Sequence, residues 1–333
     1  MSDLYPDPLA VKPFSRPVSG VVEVPGSKSI TNRMLILACM ASHSVELTGA
    51  LLSDDSHYMV DCLQRLGFQI KIEPEKKSIH VSGTGGNIPS NEASLFVGVA
   101  GTAARFLTAF CATRKSGRFE IDGTPQMRKR PMKGLFDALE QQGTHIDSKE
   151  GLLPATLSPN GLKGGRIQLE TSASTQILSA LIMVAPMAEE DLQIEVSGGA
   201  EKKPFVRLTQ ELMYQFGQPK QTIESLGNEK ALLRVTAGIP YSIPDTVAIE
   251  PDASAASYFF SLPLVVGGTV TVKGLHSNSL QGDYAYTDVL REIGMKVEET
   301  EVGTTASIQL KKLLGAGIKR DFWPISDTFL TLA

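Results

Sequence analysis

Met59-Val60-Asp61-Cys62-Leu63-Gln64-Arg65-Leu66-Gly67 reads as an amphipathic helix and its stop: apolar residues fall three and four apart, and the final glycine suits a left-handed cap. The same plan returns as MKGLFDALEQQG (132–143), LTQELMYQFG (208–217) and YTDVLREIG (286–294). The closing glycines, Gly67, Gly143, Gly217 and Gly294, recur roughly every 75 residues, a period too long for a solenoid and suited to a few large units. Before each of these helices, in the same phase, stand a β-like run, a small or hydroxyl-rich junction, an apolar helix and a second strand. The junctions are Gly26-Ser27-Lys28-Ser29, Ala100-Gly101-Thr102-Ala103, Ala173-Ser174-Thr175-Gln176 and Asp252-Ala253-Ser254-Ala255. An ordinary α/β chain also alternates strands and helices, but agreement of junction chemistry with helix endings favours a true βαβαββ repeat.

Three units, spanning 22–239, predict one complete domain, with polar or Gly-rich spacers at Ser82–Asn91 and Pro159–Gly165. The fourth unit starts a second domain near Tyr241, so that 240–333 is expected to be only part of it. A fifth junction, Pro324-Ile325-Ser326-Asp327-Thr328, leads into the apolar FLTLA (329–333), and the repeat predicts a chain cut before its last units.

At 333 residues and 42% hydrophobic content, the chain is long enough for two cores. Lys and Arg number 32 against 36 Asp and Glu, a net charge of -4, which gives no support for a nucleic-acid or anionic-membrane surface. Cys39, Cys62 and Cys111 sit in apolar helical patterns and are too few and scattered for a disulfide framework or a zinc site, which fits a reducing cytoplasm. The segment MSDLYPDPLAVKPFSRP (1–17) has neither a signal core nor a transit-peptide bias, and no apolar run approaches about 20 residues. A soluble cytoplasmic protein is expected. His43, His57, His80, His145 and His276 show no ligand spacing, so no metal and no cofactor are expected.

Hydroxyl and small residues at a helix start cap its first N–H groups, and they also leave the positive end of the helix open to an anion. For most junctions capping alone is explanation enough. The first one goes further: in PGSKSITNR (25–33) Lys28 precedes the helix, while Ser29 and Arg33 share a face one turn apart. A nucleotide P-loop needs G-x-x-x-x-G-K-[ST], which this stretch lacks, so an NTPase is disfavoured. The second unit adds Gly101, Thr102 and Arg105 at one helix and Arg128-Lys129-Arg130-Pro131 before the next. Arg128 and Lys129 read as a solvated run; Arg130, directly before a favoured first helical residue, is placed to grip a phosphate or carboxylate.

PGSKSITNR, AGTAARFLTA, RKRP, ASTQILSALIMVAP, PDASAASYFF and NSLQGD, in this order over nearly the whole chain, resemble the 5-enolpyruvylshikimate-3-phosphate synthase family. The resemblance implies an α/β inside-out barrel of two domains, each of three βαβαββ units, with 1–21 joining 240–333 in the partial second domain. It implies a monomeric transferase of the shikimate pathway that passes an enolpyruvyl group from phosphoenolpyruvate to shikimate 3-phosphate. Carried over by position, shikimate 3-phosphate meets Lys28, Ser29, Arg33, Ser174, Thr175, Gln176, Lys202 and Asp327, while phosphoenolpyruvate meets Lys28, Gly101, Arg130 and Gln176. Lys28 and Asp327 are the implied catalytic pair, Asp327 as base and Lys28 stabilising charge on the adduct.

Three positions depart from the family pattern: Val99 stands for Asn or a small residue, Lys202 for Ser and Phe205 for Tyr. The family's later Lys-Glu-x-x-Arg segment, His-Arg pair and C-terminal Lys have no counterpart before Ala333, so the chain itself is expected to be incomplete for turnover. Two alternatives stay open. One is a non-catalytic relative that binds shikimate 3-phosphate. The other is the sister transferase acting on UDP-N-acetylglucosamine, disfavoured because Gly123-Thr124-Pro125-Gln126-Met127 lacks that family's loop cysteine.

Overall fold

The computed structural model describes residues 9–10, 12–169, 174–308 and 319–333. Ala173, the first junction residue of the third unit, and part of the 1–21 segment lie outside them. Within the described residues the βαβαββ order is met four times. The first is β1 (Val18–Val22), α1 (Lys28–Met40), β2 (Ser44–Thr48), α2 (Asp54–Arg65), β3 (Ile70–Glu73) and β4 (Ser78–Ser82). The second is β5 (Glu92–Phe96), α3 (Gly101–Cys111), β6 (Arg118–Asp122), α4 (Lys133–Gln141), β7 (His145–Ser148) and β8 (Ala155–Ser158). The third is β9 (Gly165–Leu169), α5 (Thr175–Val184), β10 (Leu192–Ser197), α6 (Pro204–Gln215), β11 (Thr222–Gly227) and β12 (Lys230–Val235). The fourth is β13 (Thr246–Ala248), α7 (Ala253–Val266), β14 (Gly268–Lys273), α8 (Tyr286–Glu292), β15 (Lys296–Glu299) and β16 (Gly303–Ile308), followed by the short α9 (Phe329–Leu332).

Each unit closes one four-stranded mixed sheet, in which a parallel pair is followed by an antiparallel hairpin. In the second and third units the parallel pair is the unit's own: β5 with β6, and β9 with β10. The first and fourth units exchange theirs. β1 runs parallel to β14, and β13 parallel to β2. The chain accordingly divides into two compact units, one of Pro25–Asp252 with Leu280–Gly282, the other of the described residues of Met1–Val24, Ala253–Ser279 and Asp283–Ala333.

In the larger unit α1, α3 and α5 are apolar on nearly all sides, and the structure buries them: every residue from Ile30 to Met40 is buried. α1 packs on α3 and α3 on α5. The outer helices bury one stripe each, such as Met59, Val60, Cys62 and Leu63 on α2, which packs against β5. A fully buried aliphatic side chain of this kind contributes roughly 1.5–3 kcal/mol. The smaller unit has its own core around Phe260, Val272, Tyr286, Val289 and Leu290.

The four glycine stops are four copies of one cap. Phe68, Thr144, Gln218 and Met295 each donate a backbone N–H to the carbonyl five residues back, and each preceding glycine donates to the carbonyl three back. This is the Schellman pattern, with φ of +94, +93, +88 and +98° at Gly67, Gly143, Gly217 and Gly294. A Cβ at Gly143 would meet nothing nearer than Asn160 Nδ2 at 3.7 Å, whereas one at Gly67 would lie 2.8 Å from Pro89 Cβ. Gly143→Ala is therefore expected to cost the backbone strain alone, roughly 1–2 kcal/mol, and Gly67→Ala more. Urea unfolding of the two variants checks the order; equal losses would show that the loop at Pro89 yields.

Cys39, Cys62 and Cys111 are free and buried. Burial, with Asp61 beside it, pushes the Cys62 thiol from 9.0 up to about 12. In the unfolded chain it ionises near its ordinary value, so between about 9 and 12 the folded state holds the extra proton and stability falls as pH rises. Cys62→Ala is expected to flatten that alkaline slope by up to about 1.4 kcal/mol per pH unit, read from unfolding free energies at pH 8 to 10.5. An unchanged slope would mean that the thiol ionises without cost in the fold.

Candidate active site

In the larger unit the start of α1 is fixed by the strand segment that follows β13. Ser27 N–H donates to Glu250 O at 2.8 Å, and Lys28 N–H to Asp252 Oδ2 at 3.1 Å. Gly26 pairs with Pro251, and a Cβ there would overlap the Gly49 carbonyl oxygen, so only glycine admits this approach. The Lys28 side chain, 54% exposed, carries its ammonium out from the helix start, 3.7 Å from Asp55 Oδ2. Ser29 is half-buried.

Arg33, by contrast, turns inward. It is 2% exposed and ties three helices together: Nε donates to Thr209 Oγ1 (2.7 Å), Nη1 to Ser29 O (2.9 Å), and Nη2 to Ser179 Oγ (3.2 Å) and Phe205 O (3.0 Å). Its Cζ lies 5.2 Å from the centre of the Phe106 ring on α3. Burial lowers its pKa from 12.5 to about 9, and among the described residues no carboxylate pairs with it. Thr209 and Ser179, which sequence reasoning did not single out, gave no motif signal; only the packing of α5 and α6 against α1 reveals them.

Gly101 and Arg130, far apart in sequence, come together. A Cβ on Gly101 would lie 2.5 Å from Arg130 Cζ, so the guanidinium rests on the bare first residue of α3. Arg130 Nη1 reaches Val99 O at 3.4 Å; the departure at Val99 thus leaves intact the backbone atom that makes this contact. α3 has no side-chain cap at Ala100. Arg105, one turn below, is 2% exposed and donates to Gly101 O (2.9 Å) and Pro131 O (2.8 Å), and burial and then the charge of Arg130 lower its pKa to about 10. Arg128 is neutralised by a two-pronged contact with Asp122 at 2.8 and 2.5 Å. The expected helix start at Pro131 is corrected: α4 begins at Lys133, because Met132 N–H goes to Gly151 O and Met132 O takes the first helical bonds. Arg130 instead ends the 3₁₀ turn Met127–Lys129.

At α5, Ser174 Oγ caps Gln176 N–H (3.2 Å), and Gln176 Oε1 is buried without a partner. Thr175 is half-buried beside them. Lys202 is exposed, with Glu201 at 3.9 Å as its ion-pair neighbour, and no hydrogen bond or ion pair joins it to another candidate residue among the described ones. Phe205 contributes its carbonyl, which also accepts from Ser179 Oγ and Thr209 Oγ1. Asp327 stands in the smaller unit, exposed in the turn between the 3₁₀ turn Trp323–Ile325 and α9. No His/Cys/Asp/Glu cluster among the described residues has metal-ligating geometry, and no helix among them is long and apolar enough to cross a membrane.

Repeated βαβαββ units with exchanged first strands define the α/β inside-out barrel class. A solved EPSP synthase from Acinetobacter baumannii has this fold with a TM-score of 0.78 at 21% identity, over 95% of this chain and 71% of that one. Residues 14–333 match the family described as EPSP synthase (3-phosphoshikimate 1-carboxyvinyltransferase), and the chain belongs to it. A 3-phosphoshikimate 1-carboxyvinyltransferase of Opitutus terrae is 44% identical over 333 residues, 98% of this chain and 72% of that protein. One from Trichormus variabilis is 40% identical over 328 residues, 98% and 75% of the two chains. These matches give shares of length alone, and the expectation of a chain cut at Ala333 is not borne out by them.

Proposed function

We propose that the protein transfers the enolpyruvyl group of phosphoenolpyruvate to the 5-hydroxyl of shikimate 3-phosphate and releases phosphate, a step of aromatic amino acid biosynthesis by the shikimate pathway. The observation that carries this reading is the pair Arg130 and Arg105 at the uncapped start of α3. Among the described residues no carboxylate neutralises either guanidinium, an arrangement suited to a small anion that brings both a phosphate and a carboxylate. The relatives named for this reaction give it its substrates.

In the reaction, the 5-hydroxyl oxygen bonds to C2 of phosphoenolpyruvate, the methylene carbon gains a proton, and the hydroxyl proton passes to a base. The phosphate C–O bond then breaks, and loss of a methyl proton restores the double bond. Lys28 serves both substrates and stabilises the adduct, Asp327 takes the hydroxyl proton, and Gly101 and Arg130 hold the donor. Ser29, Arg33, Ser174, Thr175, Gln176 and Lys202 serve shikimate 3-phosphate, with Gln176 also reaching the donor. On this reading the three-unit segment, 22–239, binds mainly the acceptor, 1–21 and 240–333 form the other domain, and the protein works as a cytoplasmic monomer. Phosphate release that requires both substrates tests it; binding of shikimate 3-phosphate without release would favour the non-catalytic alternative.

Arg130→Ala is expected to raise the phosphoenolpyruvate requirement by about 1.5–3 kcal/mol, tenfold or more, with the shikimate 3-phosphate requirement nearly unchanged. Steady-state kinetics with each substrate varied in turn checks this. Equal effects on both substrates would make Arg130 a structural charge.

A further inference from the structure

We infer that Arg105 is a positioning residue for the donor anion, acting by holding Arg130 and Gly101 in register from below. The inference rests on the enolpyruvyl-transfer reading and adds to it a residue that does not itself touch substrate. Its guanidinium joins the two halves of the donor site: Nη1 bonds Gly101 O, the residue on which Arg130 lies, and Nη2 bonds Pro131 O, in the peptide immediately after Arg130. Arg130 is exposed, and its own side-chain bond to Val99 O is long at 3.4 Å, so its place is set by the backbone that Arg105 grips rather than by its own polar contacts. Arg130 N–H returns to Met127 O, and Pro131 has no N–H to give, which leaves the Pro131 carbonyl as the handle on this segment.

Burying a guanidinium without a carboxylate is costly, and two carbonyl bonds would be met as well by a neutral donor. Arg105 Nε is also buried without a partner. What a cation supplies here, and a neutral donor would not, is charge. Arg105 Nη2 holds the peptide next to Arg130, whose charge acts on it, and an anion bound against Arg130 offsets the repulsion between the two. The same group therefore fixes the segment and raises the attraction for the donor.

Calorimetry with phosphoenolpyruvate and, separately, shikimate 3-phosphate tests the inference on the parent chain, Arg105→Met and Arg105→Lys, each with its Tm. Arg105→Met is expected to weaken phosphoenolpyruvate binding at least tenfold while shikimate 3-phosphate stays within threefold. Arg105→Lys keeps the charge without the two-pronged bond and is expected to recover part of that loss, remaining below the parent. The inference is overturned if Arg105→Met binds phosphoenolpyruvate within twofold of the parent, or if both ligands weaken together with the fall in Tm. Should the Met variant not fold, Arg105→Gln carries the same comparison. A parent chain that binds no phosphoenolpyruvate would overturn the functional reading itself, and the inference with it.

Discussion

Lys28→Met is expected to lower turnover by about 10²–10³-fold while leaving the Tm within about 2–4 °C of the parent, because on the proposed reading the side chain works in the reaction and not in the fold. The stability half follows from exposure. Lys28 is 54% exposed and its partner Asp55 lies 3.7 Å away, a half-solvated pair worth at most about 1 kcal/mol. What anchors this point of the chain is the Lys28 backbone N–H on Asp252 Oδ2, which Lys28→Met leaves in place. The activity half follows from charge: the adduct carries the phosphate and carboxylate of the donor and the phosphate of the acceptor. Removing one preorganised oxyanion-hole donor costs about 2.7–4 kcal/mol, and loss of a cation facing such an intermediate is expected to cost about as much. The measurement is kcat with both substrates saturating, alongside thermal unfolding. A kcat within threefold of the parent would remove Lys28 from the chemistry, and a large fall in Tm would relocate its role to the start of α1.

How much of this was legible beforehand divides along the range of the interactions. The four glycine caps were readable because a Schellman cap is a local device, needing an amphipathic run and one residue that tolerates positive φ. The junctions were readable for the same reason, since hydroxyls and small residues at a helix start act within one turn. The exchange of β1 was pointed to only by the resemblance, which joins 1–21 to 240–333, and not by the residues themselves; that of β13 was not legible at all. Each precedes its helix as β5 and β9 do, and nothing in Val18–Val22 says that it will pair with β14 rather than β2. Pairing partners are chosen by tertiary packing. The site divides likewise. That Ser29 and Arg33 share a helix face could be counted from spacing; that Lys28 points out while Arg33 is buried beneath Ser29 O could not. The meeting of Gly101 with Arg130 was implied only by the resemblance, which gives both to the donor; spacing could not show it, because it depends on where the chain returns after β6.

Arg33 sets a second test, in which stability and binding are expected to move in opposite directions. Its four hydrogen bonds look like strong support for the fold, but the effects must be weighed against each other. Burial that lowers its pKa to about 9 means the fold disfavours the charged form. Below that pH the cost is constant, and it is relieved only as pH rises above about 9 and the folded state sheds the proton first. A buried cation without a carboxylate carries a penalty on the order of a few kcal/mol. Its partners do not depend on it: Thr209 Oγ1 and Ser179 Oγ both donate to Phe205 O at 2.9 and 3.2 Å, so removing the guanidinium strands no buried hydroxyl. Arg33→Met, similar in length and apolar against Phe106, is therefore expected to match the parent or exceed it by about 1–4 kcal/mol. Arg33→Ala leaves a cavity and should fall below Arg33→Met by about 2–3 kcal/mol. Both are expected to bind shikimate 3-phosphate more weakly by about 1.5–3 kcal/mol, since the positive charge beneath the first turns of α1 and α6 is gone. Urea unfolding and calorimetry on the same two variants decide it. If Arg33→Met loses stability as deeply as Arg33→Ala, the hydrogen bonds outweigh the buried charge, and Arg33 is retained for the fold rather than for the substrate.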